Sequence, residues 1–150
     1  RQVVKSVINS NENRNKLLLD RIKIIMKNKI KNKSITFLGV TFKSGTDDMR
    51  ESPSLKMIPF LVKKGAFISY YEPTGQKKQF KSKKITFYGN IKDACQNADL
   101  IIIHTEWNEF KQLNFKKITK KRNFKVFDMR NLYSPSEMKK NKINYFSIGR

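Results

Sequence analysis

The sequence predicts an α/β fold in which a long helix precedes a parallel sheet with helices on both faces. Short apolar runs alternate with helical patterns along residues 34–148, as expected when crossover helices join parallel strands. The runs at 35–40 and 100–104 are mostly apolar, which is typical of strands buried on both faces. Residues 2–31 carry apolar side chains near the 3.6-residue period, which indicates one long helix.

The same patterns give the expected order of elements. We expect strands at residues 34–40, 67–71, 85–88, 100–104, 124–128 and 144–148. We expect helices at 54–64, 90–97 and 135–140, with helical turns at 107–112 and 115–121. Ser52 and Pro53 are placed to begin the first of these helices, and Gly65 to end it. Pro59 should kink that helix or remove one backbone hydrogen bond.

Composition limits the class of protein. A chain of 150 residues is long enough for one domain with a proper core, and its first residue, Arg1, leads us to expect part of a longer protein. The single cysteine, Cys95, excludes an internal disulfide and fits a reducing compartment. No apolar run approaches the length of a membrane span. We therefore expect a cytoplasmic protein.

The net charge of +21 raises the hypothesis of a nucleic-acid-binding module. Against this, the lysines are scattered in pairs at predicted helix ends and loops, without interleaved aromatic residues or a recognition helix. Such charge attracts polyanions non-specifically whether or not it was selected. Nucleic acid is therefore the less favoured partner.

A polar cluster follows the first predicted strand. Within ten residues the chain carries two cations, a glycine and two adjacent carboxylates: Lys43, Gly45, Asp47, Asp48 and Arg50. Ligands of open α/β sheets bind outside the carboxyl ends of the strands, so this loop is a candidate site. The alternative is a solvated polar connection. The two aspartates could be paired catalytic carboxylates, or they could be metal ligands. We favour a role in positioning the two cations and capping the following helix.

Several segments resemble the carboxyl-terminal domain of the UDP-glucose/GDP-mannose dehydrogenase family. The matching segments occur in the family's order over residues 3–150, and the ending is most similar to bacterial UDP-glucose dehydrogenases; they are FLGVTFKSGTDDMRESPSL, GAFISYYEP, TEWNEF, VFDMRNLYSPSEM and YFSIGR. Three residues depart from the family's pattern: Met129 stands where Gly is usual, Glu72 where Asp is usual, and Pro59 lies inside a helix.

The resemblance implies a Rossmann-like nucleotide-sugar-binding domain at residues 33–150. Residues 1–32 would then be the end of a central helix that connects two domains and forms a homodimer. The alternative for this helix is packing against its own domain. The middle of the helix, residues 9–15, is polar on all sides.

The resemblance also implies site residues. Phe42, through backbone groups, and Lys43, through its side chain, match a pair that contacts the nucleotide-sugar. Arg130 matches a second contact to that ligand. Arg50 matches an arginine that reaches NAD, which is held mainly by an amino-terminal domain outside this chain.

The implied activity is the NAD-dependent oxidation of UDP-glucose to UDP-glucuronate through a cysteine-bound intermediate. The nucleophile would lie upstream, so we assign no catalytic residue here, neither Cys95 nor His104, and no metal site. Alone, the chain is expected to be inactive. Residues 105–107 are interpreted as a structural turn over Trp107. A GDP-mannose or other UDP-sugar dehydrogenase remains the alternative enzyme.

Overall fold

The computed structural model describes residues 2–150, with side chains from residue 11 onward. Six strands form one sheet: β1 (Ser34–Leu38), β2 (Phe67–Tyr71), β3 (Ile85–Phe87), β4 (Leu100–Ile103), β5 (Lys125–Asp128) and β6 (Asn144–Ser147). Their order is β3-β2-β1-β4-β5-β6, and every neighbouring pair is parallel. The predicted parallel sheet is confirmed, with strand ends shifted by one or two residues.

The helices cover both faces of this sheet. They are α1 (Gln2–Ile25), α2 (Ser54–Lys63), α3 (Ile91–Cys95), α4 (Phe115–Ile118) and α5 (Pro135–Lys140), with a 3₁₀ turn at Asn108–Phe110. Buried residues of α1 and α2 share one core cluster, and those of α3, α4 and α5 share the other. None of the described helices is long and apolar enough to pass through a lipid bilayer.

Strand β4 shows why its sequence is continuously apolar. All four of its residues are buried, and successive side chains enter opposite cores. Leu100 and Ile102 pack with the α1/α2 cluster, whereas Ile101 and Ile103 pack with the α3/α4/α5 cluster. A strand buried on both faces therefore needs a branched apolar side chain at every position.

Helix α1 ends earlier than the pattern predicts, at Ile25 rather than residue 31. Lys27 and Asn28 have φ angles of 53° and 59°, which no right-handed helix accommodates. The Nζ of Lys125 donates a hydrogen bond to the carbonyl of Ile25 at 2.8 Å. A lysine from β5 thus satisfies one of the carbonyls that the helix end leaves free.

The second half of α1 packs against the sheet. Leu18 and Ile22 are buried in the core, and Arg21 donates a hydrogen bond to the carbonyl of Ser147 at 2.6 Å. On the flank beside this buried face, Leu17 is 65% and Ile24 70% exposed. Both predicted alternatives for this helix therefore have a physical basis, because one face is buried against its own domain and two large apolar side chains remain uncovered.

Helix α2 runs through Pro59 to Lys63. Pro59 removes one backbone donor but does not end the helix. Gly65 has a φ of 96° and its N–H bonds to the carbonyl of Val62, as predicted for the residue after the helix.

Candidate functional site

The candidate loop lies at the point where the sheet's strand order reverses. Strand β1 is central, with β2 on one side and β4 on the other, and the chain leaves β1 toward α2 through residues 39–53. The chain runs from β1 to β2 on one side and from β4 to β5 on the other, so the two connections leave the space between β1 and β4 in opposite directions. Such a switch point at the carboxyl edge is where open α/β sheets bind ligands.

A buried carboxylate from the neighbouring strand braces the start of this loop. Glu72, which directly follows β2, accepts hydrogen bonds through Oε1 from the N–H groups of Val40 and Thr41, at 2.9 and 3.3 Å. Its Oε2 accepts from the N–H and hydroxyl of Thr74, at 2.9 and 2.6 Å. The residue is 1% exposed, and its four bonds join two loops. Sequence reasoning noticed Glu72 only as a departure from the family's pattern.

The strand end also needs a glycine. Gly39 has a φ of 78°, and a Cβ placed there would lie 2.6 Å from the Cβ of Thr105. Thr105, after β4, donates its hydroxyl to the carbonyl of Thr41 at 3.0 Å. Gly39 is therefore required both for its backbone conformation and for the close approach of the next loop.

Two buried serines secure the far end of the loop. The hydroxyls of Ser52 and Ser54 each lie 2.6 Å from the carbonyl of Val40, to which they donate. Ser52 Oγ also accepts from the N–H of Ser54, at 3.3 Å. The first turn of α2 is thereby fastened beneath the end of β1.

Phe42 and Lys43 occupy the exposed part of the braced loop. Phe42 is 44% exposed, and its backbone N–H donates to the carbonyl of Asp48 at 3.0 Å. Its backbone donor is thus already used, so only its carbonyl and its ring remain for a ligand. Lys43 is exposed, and its carbonyl accepts from the hydroxyl of Thr41. Its ammonium makes no hydrogen bond or ion pair with the part of the chain that the structure describes.

Arg50 is held by its own loop. Its Nε and one Nη donate to the two oxygens of Asp48, both at 3.1 Å. These hydrogen bonds from Arg50 lower the pKa of Asp48 and raise that of Arg50. The Arg50 side chain is nevertheless 88% exposed and borders a cleft of about 540 Å³ with Lys77 and Lys78. Asp48 positions Arg50 as predicted, but among the described contacts neither Asp47 nor Asp48 bonds to Lys43 or caps α2.

The turn after β5 presents Arg130. Asp128, fully buried, accepts through Oδ1 from the N–H of Arg130 at 3.1 Å and through Oδ2 from the N–H of Tyr133 and the hydroxyl of Tyr145. The left-handed residue of this turn is Asn131, with a φ of 54°, and not Met129. Met129 in place of Gly therefore causes no backbone strain here.

Lys43 and Arg130 lie at the same carboxyl edge of the sheet, in the connections that follow β1 and β5. Strand β4 separates these two strands. Strands are spaced by about 4.8 Å, so the two connections start about 10 Å apart. Met129 lines a cavity of about 460 Å³ with Arg14, Leu17 and Arg150, whereas Arg50 lines the separate cleft beside Lys77. The predicted site residues are thus spread along one edge rather than gathered in one pocket.

Of three other residues singled out from the sequence, two are buried and one is half-buried. Cys95 is fully buried, and burial raises the pKa of its thiol to about 12, so it is not a nucleophile. Trp107 is half-buried and packs on the core that contains Phe110. His104 is buried, and burial followed by the charges of Arg130 and Arg14 lowers its pKa to about 3. Among the described residues, no three potential ligands cluster to hold a metal ion.

Comparisons with known proteins identify the family of this chain. A family model described as the UDP-glucose/GDP-mannose dehydrogenase family, UDP binding domain, matches residues 36–135. The UDP-glucose 6-dehydrogenase of Rickettsia felis is 35% identical over 99% of this chain, and that of Rhizobium meliloti is 34% identical over the same share. The chain spans about a third of the length of these relatives: 34% of the Rickettsia felis protein.

Solved structures share the fold. A UDP-glucose dehydrogenase from Pyrobaculum islandicum superposes with a TM-score of 0.75 at 20% identity, over 97% of this chain and 31% of that one. The NDP-N-acetyl-D-galactosaminuronic acid dehydrogenase of Methanosarcina mazei Go1 gives 0.77 at 22% identity, over 89% and 29%. At these identities the likeness shows the fold alone.

Proposed function

Because the chain belongs to the UDP binding domain of the UDP-glucose/GDP-mannose dehydrogenase family, we propose that it is the nucleotide-sugar-binding part of an NAD-dependent UDP-glucose dehydrogenase. The observation that carries this proposal is the braced loop at the switch point, with Phe42 and Lys43 exposed on it. Buried hydrogen bonds to Glu72 hold this loop in place, and the Lys43 ammonium on its exposed side has no partner among the described residues. Such an arrangement suits a phosphorylated ligand.

Lys43 supplies the charge in this proposal. Its ammonium carries three donors and is flexible enough to meet a phosphate or a sugar hydroxyl. Phe42 offers an exposed ring, on which a planar base can stack, and a backbone carbonyl. Arg130 adds a forked guanidinium from the far side of β4, which suits a second phosphate oxygen.

Arg50 is assigned to NAD rather than to the sugar nucleotide. It faces the cleft that Lys77 and Lys78 also border, away from the cavity beside Met129. In that position its guanidinium can exchange Asp48 for a phosphate of a cofactor carried by another domain. The braced loop then contacts both ligands: the sugar nucleotide through Phe42 and Lys43, and NAD through Arg50.

The rest of the reaction is proposed for the longer protein. Its relatives named UDP-glucose 6-dehydrogenase extend well beyond this chain, and the nucleophilic cysteine and most of the NAD site would lie in the additional part. NAD supplies the hydride acceptor when bound. We place this enzyme in the cytoplasm and expect the isolated chain to be inactive.

We also propose a homodimer through α1. The exposed side of α1 carries two large apolar side chains two turns apart, Leu17 and Ile24, and uncovered apolar side chains of this kind promote association. Sedimentation in moderate salt should show a dimer or larger species. A monomer at high concentration would contradict this assembly.

The ligand proposal is tested by titrating the 150-residue chain with UDP while recording amide NMR spectra. The amides of residues 42–46 and 129–131 should shift at millimolar UDP. Titration with GDP tests the GDP-mannose alternative, and duplex DNA tests the nucleic-acid module. Unmoved amides at millimolar UDP, together with salt-dependent DNA binding, would overturn the proposal.

The division between Lys43 and Arg50 is tested in the longer enzyme. Lys43→Ala should raise the KM for the sugar nucleotide, and Arg50→Ala should raise the KM for NAD, each by about ten- to a hundredfold for one lost charged hydrogen bond. The two variants control each other, because both remove one surface cation. Equal shifts of the same constant would contradict the assignment.

A further inference from the structure

His104 is the only histidine of the chain, and it lies where β4 ends at the switch point. It is buried, and its ring stands 6.0 Å from that of Phe37, on the face of the sheet covered by α1 and α2. Its Nε2 is buried and has no hydrogen-bond partner among the residues that the structure describes. A buried polar atom left without a partner is costly and calls for a physical explanation.

The contacts of Thr105 determine which ring nitrogen carries the proton. Thr105 donates its only hydroxyl proton to the carbonyl of Thr41. The contact of 2.8 Å between Thr105 Oγ1 and His104 Nδ1 therefore has Nδ1 as donor. The imidazole is neutral at physiological pH, since its pKa is lowered to about 3. Nε2 is consequently a bare acceptor.

The positive groups near this acceptor are Arg130 and Arg14. Arg130 belongs to the turn next to His104: Met129 donates its N–H to the carbonyl of Ile103 at 3.1 Å. The Arg130 backbone is fixed by Asp128, but its guanidinium bonds to no described residue. An unused donor and an unused acceptor are thus neighbours at the same edge.

We propose that His104 is a positioning residue for Arg130. When a nucleoside diphosphate binds, His104 Nε2 accepts a hydrogen bond from the Arg130 guanidinium. The remaining N–H groups of the guanidinium are then directed at the phosphate. This inference rests on the proposed function, because it needs a phosphorylated ligand on Arg130. His104 itself does not touch the ligand, since Nε2 is shielded from solvent.

The first measurement uses the fact that this imidazole is unique in the chain. Long-range ¹H–¹⁵N spectra should show Nδ1 protonated and Nε2 bare in the free chain. Addition of UDP should shift the Nε2 resonance in the direction of hydrogen bonding. Arg130→Ala should abolish this shift, whereas Arg14→Ala, which removes an equal charge, should leave it. If UDP moves backbone amides but not Nε2, only this inference fails; if UDP moves nothing, the proposed function fails with it.

The second measurement separates the two ring nitrogens. His104→Asn retains a donor near Nδ1 and loses the acceptor at Nε2, whereas His104→Gln retains a polar group near Nε2. The Asn variant should weaken UDP binding about tenfold, and the Gln variant should recover most of it. In an Arg130→Ala background His104→Asn should have no further effect, because the bond is already gone. Additive effects, or equal losses in the Asn and Gln variants, would overturn the proposal.

Discussion

The loop after β1 and the turn after β5 carry the proposed ligand contacts, and a buried carboxylate holds each of them in place. The two carboxylates act over different distances along the sequence. Glu72 directly follows β2 and Asp128 is the last residue of β5, and both are buried carboxylates that accept backbone N–H groups. Asp128 braces its own turn through the N–H groups of residues two and five positions later, and its one other donor among the described residues is the hydroxyl of Tyr145 on β6. Glu72 instead braces a loop 31 and 32 residues earlier, on the neighbouring strand. A local brace fixes one turn, whereas Glu72 also sets the position of one loop relative to another.

The largest expected effect follows from removing the long-range brace. Glu72→Ala leaves the N–H groups of Val40, Thr41 and Thr74 without their acceptor, and should lower the free energy of unfolding by about 4 kcal/mol. Denaturant unfolding measures this loss. Amide shifts should spread over residues 40–50 and 73–77 together. Glu72→Gln, which keeps one acceptor oxygen, is the control and should lose less.

Removing the local brace should cost less and disturb fewer residues. Asp128→Ala deprives two N–H groups and the Tyr145 hydroxyl of an acceptor, and should destabilise the chain by about 3 kcal/mol. Its amide shifts should stay near residues 129–134 and 145. Shifts that spread as widely as those of Glu72→Ala would remove the distinction between the two braces.

Between the two braced loops, His104 should make stability depend on pH. Its pKa is about 3 in the folded chain, below the ordinary value of 6.5, so the unfolded chain binds the extra proton between these values. The stability that depends on neutral His104 is complete above pH 6.5. It falls by about 1.4 kcal/mol per pH unit as the pH decreases toward 3. His104→Gln has no group that titrates in this pH range, so its stability should depend less on pH there. An unchanged slope would contradict the burial argument.

The smallest effect is expected where the carboxylate is not buried. The Asp48–Arg50 pair lies on the same loop that Glu72 braces but is open to solvent. Arg50→Ala should leave the unfolding midpoint unchanged, because exposed ion pairs are screened by water. A clear loss of stability would show that Arg50 has a structural role in addition to its proposed ligand role.

The sequence by itself determined the elements whose signals are local. Runs of apolar residues identified all six strands, and the carboxyl ends of β1 and β5 located Lys43, Arg50 and Arg130 on one edge. Asp48 was correctly expected to hold Arg50, since the two residues are two positions apart. Residue 65 was correctly expected to end α2, because glycine readily adopts a positive φ.

Only the tertiary structure decided what depends on neighbours distant in the chain. Helix α1 stops at Ile25 although its apolar period continues, since Lys125 meets its last turn and two left-handed residues follow. Glu72, His104 and Thr105 acquire their roles from strands that become adjacent only in the folded sheet. Periodicity reports which face of an element is buried, but a hydrogen bond across 30 or 60 residues leaves no pattern in a single sequence.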